Sequence, residues 1–306
     1  MFLTLLSNLT TLYVCMLFGY IGRKRRVLTD EVNTSMTALL MNITLPCMVF
    51  MSMMRPFSRT LLIESLATVL ISAAVYLSGY AVAALLARLT GAEADEMRVW
   101  KFGLMFANTA FIGFPVIQAM FGYEALIYVT MANVAFTVLV FSLGVHLFTS
   151  GEGSAAKTDV KRIALNPVMI AMYIGLVFFA TGLRLPSAVE NGVALIGGMT
   201  SPVSMLLVGS ILAKSKLRSL VDDWRILPVI FMRLTGIPLT AFVLLRPFIH
   251  NDIMLGVIIL LAAMPIGSMT VIFSEQYNGN TAMAAKLVAL STMLCLLSIP
   301  LISLII

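Results

Sequence analysis

The 306 residues are 60% hydrophobic and only 11% charged, with a mean hydropathy of +1.02. A soluble domain carries about 25% charged residues, so this chain has too little polar surface to be one, and its length is better divided by the roughly 20 residues of a membrane helix. The net charge of +6 falls in short loops between apolar runs, which makes it a topology signal and not a nucleic-acid footprint.

The first apolar run, Phe2 to Gly22, is followed and not preceded by Arg23-Lys-Arg-Arg26. It therefore reads as a retained helix rather than a cleavable signal, with its N-terminus outside the cytoplasm. Apolar runs then predict ten spans, over 3–22, 33–54, 60–89, 99–121, 123–149, 163–184, 187–213, 225–247, 252–275 and 282–305. With that orientation the cytoplasmic loops hold 15 basic residues and the external loops four (Arg55, Arg59, Arg184, Arg246), while Arg233 is left inside a span. Shifting the count by one span would scramble this asymmetry. Both termini are expected on the external side of the membrane.

The longest hydrophilic stretch, 150–162, has the composition of a flexible cytoplasmic linker. It divides the chain into halves at 1–149 and 163–306, each with five spans. An odd number per half predicts two repeats of opposite orientation. Prolines recur in step: Pro46 and Pro115 in the first half, Pro202 and Pro265 in the second. The predicted fold is thus all-α and polytopic, ten transmembrane helices in two inverted five-helix repeats.

Two spans carry helix breakers at corresponding places, Asn108-Thr-Ala-Phe-Ile-Gly-Phe-Pro115 and Ala263-Met-Pro-Ile-Gly-Ser268. Proline removes a donor and clashes with the preceding turn, and glycine permits non-helical dihedrals. Each span is expected to become two half-helices, the second starting near Pro115 or Pro265. Half-helix N-termini present free N–H groups and a positive dipole end, which suit an anion. Asn108, Thr109, Ser268 and Thr270 would add neutral donors, and Gly113 and Gly267 would let the backbone bend. An ordinary pair of proline kinks is the bland alternative.

Asn42 and Thr44 beside Pro46 read either as substrate contacts or as side chains bonded back to their own helix. Asn133, a lone amide in the fifth span, is either a site residue or interhelical glue. Arg233 would attract an anion, pair with Glu64 or Glu275, or snorkel to the headgroups. Glu275 reads as a proton-coupling carboxylate or an interfacial one. The three cysteines lie in apolar runs and suggest neither a disulfide nor a metal site. A G-x-x-x-x-G-K loop is absent, so direct ATP use is not expected, and no cofactor is implied.

Taken together, Gly19-Tyr-Ile-Gly22 before a basic cluster, Asn42-Ile-Thr-Leu-Pro46, Asn108 to Pro115 followed by Phe121-Gly122, Asn166-Pro167, Gly175, Leu185-Pro186 and Met264-Pro265 resemble the auxin efflux carrier family. That family includes plant auxin exporters and bacterial malate and malonate permeases, and the resemblance covers essentially the whole chain. It implies scaffold and transport parts, fourth and ninth helices crossing at Pro115 and Pro265 next to the substrate, elevator-like movement, and a homodimer through the scaffold. The short linker lacks the long cytoplasmic loop of the plant exporters. The expected activity is carriage of a small organic anion, a mono- or dicarboxylate, driven by membrane potential or a proton gradient. Rival readings are a sodium-coupled symporter of the bile-acid type, an intramembrane enzyme, and a membrane sensor. The first needs more intramembrane acids than this chain offers, and the second a catalytic pair it lacks.

Overall fold

A computed structural model describes residues 2–149, 164–214 and 223–306. The proposed linker at 150–162 lies outside the described residues. Among them, regular structure is entirely helical, as the bilayer demands of a chain that must satisfy its backbone internally. Six helical segments are long and apolar enough to cross a membrane: Asp30–Met53, Arg59–Thr90, Tyr123–Thr149, Ser187–Leu212, Ile226–Leu245 and Thr281–Ser303. Thr109–Phe121, Pro167–Thr181 and Asp252–Ala263 are apolar but shorter.

In chain order the α-helices are α1 (Phe2–Lys24), α2 (Asp30–Leu39), α3 (Leu45–Met53), α4 (Arg59–Thr90), α5 (Ala94–Met105), α6 (Phe114–Phe121), α7 (Leu126–Leu139) and α8 (Val145–Thr149). They continue as α9 (Pro167–Thr181), α10 (Ser187–Gly198), α11 (Thr200–Leu212), α12 (Ile226–Phe231), α13 (Ile237–Leu245), α14 (Asp252–Ala263), α15 (Met269–Gln276) and α16 (Thr281–Ser303).

Three prolines enter their helices the same way. Wide π turns at Leu40–Thr44, Thr109–Gly113 and Met232–Gly236 each end two residues before Pro46, Pro115 and Pro238. A proline ring clashes with the carbonyl four residues back and offers it no donor. Widening the turn beforehand moves that carbonyl aside and lets the helix continue.

The chain divides into two compact units, and each draws on both halves of the sequence. One comprises Met1–Thr68, Ala110–Val134 and Lys161–Lys214; the other comprises Val69–Thr109, Ala135–Val160 and Ser215–Ile306.

In the first unit α1 lies along α11 with no side chain between them at two points. A Cβ on Gly19 would run into the Leu206 carbonyl, and one on Gly209 into the Met16 carbonyl. Small residues let membrane helices approach this closely and gain dispersion contact, since lipid gives no hydrophobic drive between them. Asn33 Nδ2 donates to Ser210 Oγ at 2.8 Å and Asn8 Nδ2 to Ala119 O at 2.6 Å. Around α3, Gly175 admits the Met53 side chain and Phe50 meets Phe178 edge-on, ring centroids 5.3 Å apart.

The second unit has an aromatic core. The Phe102 ring packs at a tilt against Phe106 (centroids 4.7 Å apart) and Phe273 (4.8 Å) and edge-on to Phe148 (5.6 Å), and Gly144 leaves room for it. Gly79 of α4 sits so close to the Leu104 carbonyl that a Cβ would overlap it. α14 is buried along nearly its whole length from Met254 to Ala263, so it forms the centre of this unit.

Candidate functional site

Two non-helical segments meet inside the second unit. α5 ends at Met105 and Phe106 takes extended dihedrals; α14 ends at Ala263 and Met264 does the same. Ala107 and Ile266 then pair as an isolated antiparallel bridge. Asn108 N–H donates to Pro265 O at 2.8 Å, and Gly267 N–H donates to Phe106 O at 3.0 Å. Each break thus supplies the other's missing backbone partners, which is what lets non-helical backbone persist away from water. Glycine suits position 267: a Cβ there would lie 3.0 Å from Ala107 O and 3.1 Å from Phe106 O, so the backbone would have to give by a few tenths of an ångström.

Two side chains fix the crossing. Ser291 Oγ, on α16, accepts the Ile266 N–H at 3.1 Å. Arg233, only 1% exposed, donates from Nε to Met264 O (2.9 Å), from one terminal nitrogen to Leu104 O (2.8 Å) and from the other to Leu261 O (3.3 Å). One guanidinium therefore caps the last turns of both α5 and α14, reaching carbonyls at the helix ends, of which Leu261 O also accepts the Met264 N–H at 3.3 Å. It neither snorkels nor pairs with an acid: among the described residues its partners are these three carbonyls. Glu64 instead accepts a 2.6 Å bond from Tyr128 Oη in the first unit, and Glu275 is exposed near the end of α15.

Helix resumes at Thr109 on one chain segment and at Met269, behind Ser268, on the other. Asn108 (6% exposed) and Thr109 (2%) are buried there. Thr270 and Ser274 are fully buried, and among the described residues their hydroxyls have no hydrogen-bond partner. Most buried hydroxyls on membrane helices bond back to their own helix, as Thr68, Thr130 and Thr292 do here. Thr270 and Ser274 keep unused donors on a half-helix that starts at the crossing.

The sequence-predicted residues thus sort by unit. Asn108, Thr109, Pro265, Gly267, Ser268, Thr270 and Arg233 gather on the crossing; Glu275 does not. In the first unit Asn133 is buried, as are Thr44 and Thr200 of α11, whose hydroxyls have no hydrogen-bond partner among the described residues. Asn42 is exposed and its Nδ2 bonds back to Ala38 O at 2.8 Å. Gly113 closes the π turn and Pro115 follows it in the first turn of α6, both within a continuous helix. The expected break at Pro115 is corrected: the non-helical backbone is at Phe106–Asn108, because the π turn absorbs the proline without interrupting the helix. Pro265 does lie at its break. Ser291 was missed, and its signal, a Ser-Thr pair inside an otherwise apolar span, is weak on its own.

Residues 4–303 match the family described as membrane transport protein. The chain belongs to this family, the auxin efflux carriers that its motifs resemble. Similar relatives are uncharacterized transporters. One, from Methanothermobacter thermautotrophicus, is 26% identical over 298 residues, covering 96% of both chains. MJ1031 of Methanocaldococcus jannaschii is 25% identical over 296 residues and 94% of each chain. YfdV of Escherichia coli K12 is 23% identical over 308 residues, 97% of this chain and 96% of its own. This auxin efflux carrier family member is accordingly a multi-pass membrane protein of a transporter family.

Proposed function

We propose that this family member carries a small organic anion, a mono- or dicarboxylate, across the inner membrane by alternating access. One helix group moves against the other, in the manner of an elevator. The observation that carries the reading is the crossing itself. Two chain segments restart as helices within three residues of a shared backbone bridge, where dipole ends favour negative charge. Buried Asn108, Thr109 and Thr270 stand beside those starts. Neutral donors of this kind bind a carboxylate without the desolvation cost of a second buried charge. The ten-helix count, the inverted repeat and the external termini belong to the same proposal.

The test is uptake by proteoliposomes of labelled malonate, malate and indole-3-acetate under separately imposed electrical, proton and sodium gradients, with Asn108→Ala alongside. Saturable uptake of one acid, weakened about tenfold or more by the variant as expected for a lost hydrogen bond to a charged group, supports the reading. Folded protein that moves no acid under any gradient sinks it. Uptake that requires sodium replaces it with the sodium-coupled alternative.

A further inference from the structure

We propose that Arg233 determines charge selectivity, making the crossing select anions over cations. The inference rests on the carrier reading above and says which part of the crossing decides the sign of the solute.

A bare crossing of two broken helices has no preferred sign. Each contributes one C-terminal end, equivalent to roughly half a negative charge, and one N-terminal end, equivalent to roughly half a positive charge. The two kinds of end would attract cations and anions alike. In this chain the symmetry is removed. The guanidinium bonds to Leu104 O at the end of α5 and to Leu261 O and Met264 O at the end of α14. Its positive charge offsets the roughly one negative charge that both C-terminal ends present together. The N-terminal ends at Thr109 and Met269 carry no such offset in their own segments: neither Phe106–Gly113 nor Met264–Ser274 contains an Asp or Glu, and Glu275, the next acid along α15, is exposed. What remains is a net positive field of about one charge, matched to a monocarboxylate.

Capping alone does not demand an arginine. Ser291 satisfies the Ile266 N–H with a neutral hydroxyl, and a neutral amide side chain could donate to carbonyls in the same way. A fully buried charge at this depth is expensive, and a role for the charge itself accounts for it. Arg233 is thus a positioning residue whose charge acts through the helix ends, with no contact to the solute required.

The experiment compares acids with their uncharged amides on the purified full-length chain. Thermal stabilisation is titrated with malonate against malonamide and with indole-3-acetate against indole-3-acetamide, for wild type, Arg233→Lys and Arg233→Gln. In the wild type the better acid should bind at least about tenfold more tightly than its amide. Arg233→Lys should keep that preference within about threefold, while Arg233→Gln should lose about tenfold or more of it. A structural cap alone would lower the melting temperature in both variants and leave the acid-to-amide ratio unchanged, which overturns the proposal. Equal wild-type binding of acid and amide overturns it without any variant, so it stays testable if Arg233→Gln does not fold. A wild type that responds to no acid at all removes the carboxylate reading first, and this inference with it.

Discussion

Arg233 and Ser291 hold the same crossing by opposite chemistry, the first donating to carbonyls and the second accepting an N–H. Removing the serine hydroxyl should leave the buried Ile266 N–H without a partner. Ser291→Ala is therefore expected to lower stability by about 1–3 kcal/mol, read as a drop in melting temperature in detergent with the acid-to-amide preference unchanged. Gly267→Val should be worse, since the added carbons press on the Ala107 and Phe106 carbonyls and part the bridge. Transport should be lost while protein is still made. Arg233 stood out in the sequence because a charge inside an apolar span demands a reason. Its partners did not, because main-chain carbonyls carry no residue identity and any side chain could have supplied them. Glu64 was a plausible mate by charge, yet Tyr128 takes it.

At the scale of elements, the sequence marks helix disruption more readily than it locates it. Phe106-Ala107-Asn108 contains neither proline nor glycine, and its extended backbone is held by a second segment that pairs with it and by a guanidinium on the Leu104 carbonyl just before it. Pro115 is a strong breaker by composition, but the π turn at Thr109–Gly113 accommodates it. Pro115→Ala should consequently leave the Ala107–Ile266 pairing intact and change uptake by less than about threefold, well below the loss in Gly267→Val. Helix ends outside the spans show a second device. Glu96 completes a capping box with Glu93 at the start of α5 and takes a two-pronged bond from Arg225 at 2.9 and 3.0 Å. Arg225 also holds Asp223. Partial burial pushes the Asp223 carboxyl up, but the bonds from Arg225 outweigh it and keep it below its ordinary value of 3.8. Asp223 thus adds stability that is fully present above that value and fades as pH falls through the lower folded one. The melting-temperature gap between wild type and Asp223→Asn should be flat above pH about 4 and narrow below it.

For the whole molecule, the apolar segments were legible because a bilayer imposes length and composition on anything that crosses it. The grouping into two units was not, since it depends on which helices pack, and close approaches such as Gly19 on Leu206 are matters of shape. The orientation rests on charge alone and has a direct check. With Val27 and Phe248 both exposed, an impermeant maleimide should label Phe248→Cys and not Val27→Cys in spheroplasts of an expression host; the reverse pattern inverts the topology.

The bridge between Ala107 and Ile266 also sets a timetable. A ribosome adds about 5–20 residues per second, so the first break waits on the order of ten seconds for the second to be made. Until then its backbone groups lack their native partners, a state that hydrocarbon penalises. The nascent segment around Ala107 must spend that interval as an unbroken helix, near water, or in the care of the insertion machinery. The crossing is therefore among the last features of this protein to form, and a chain released before Ile266 is made can never complete it.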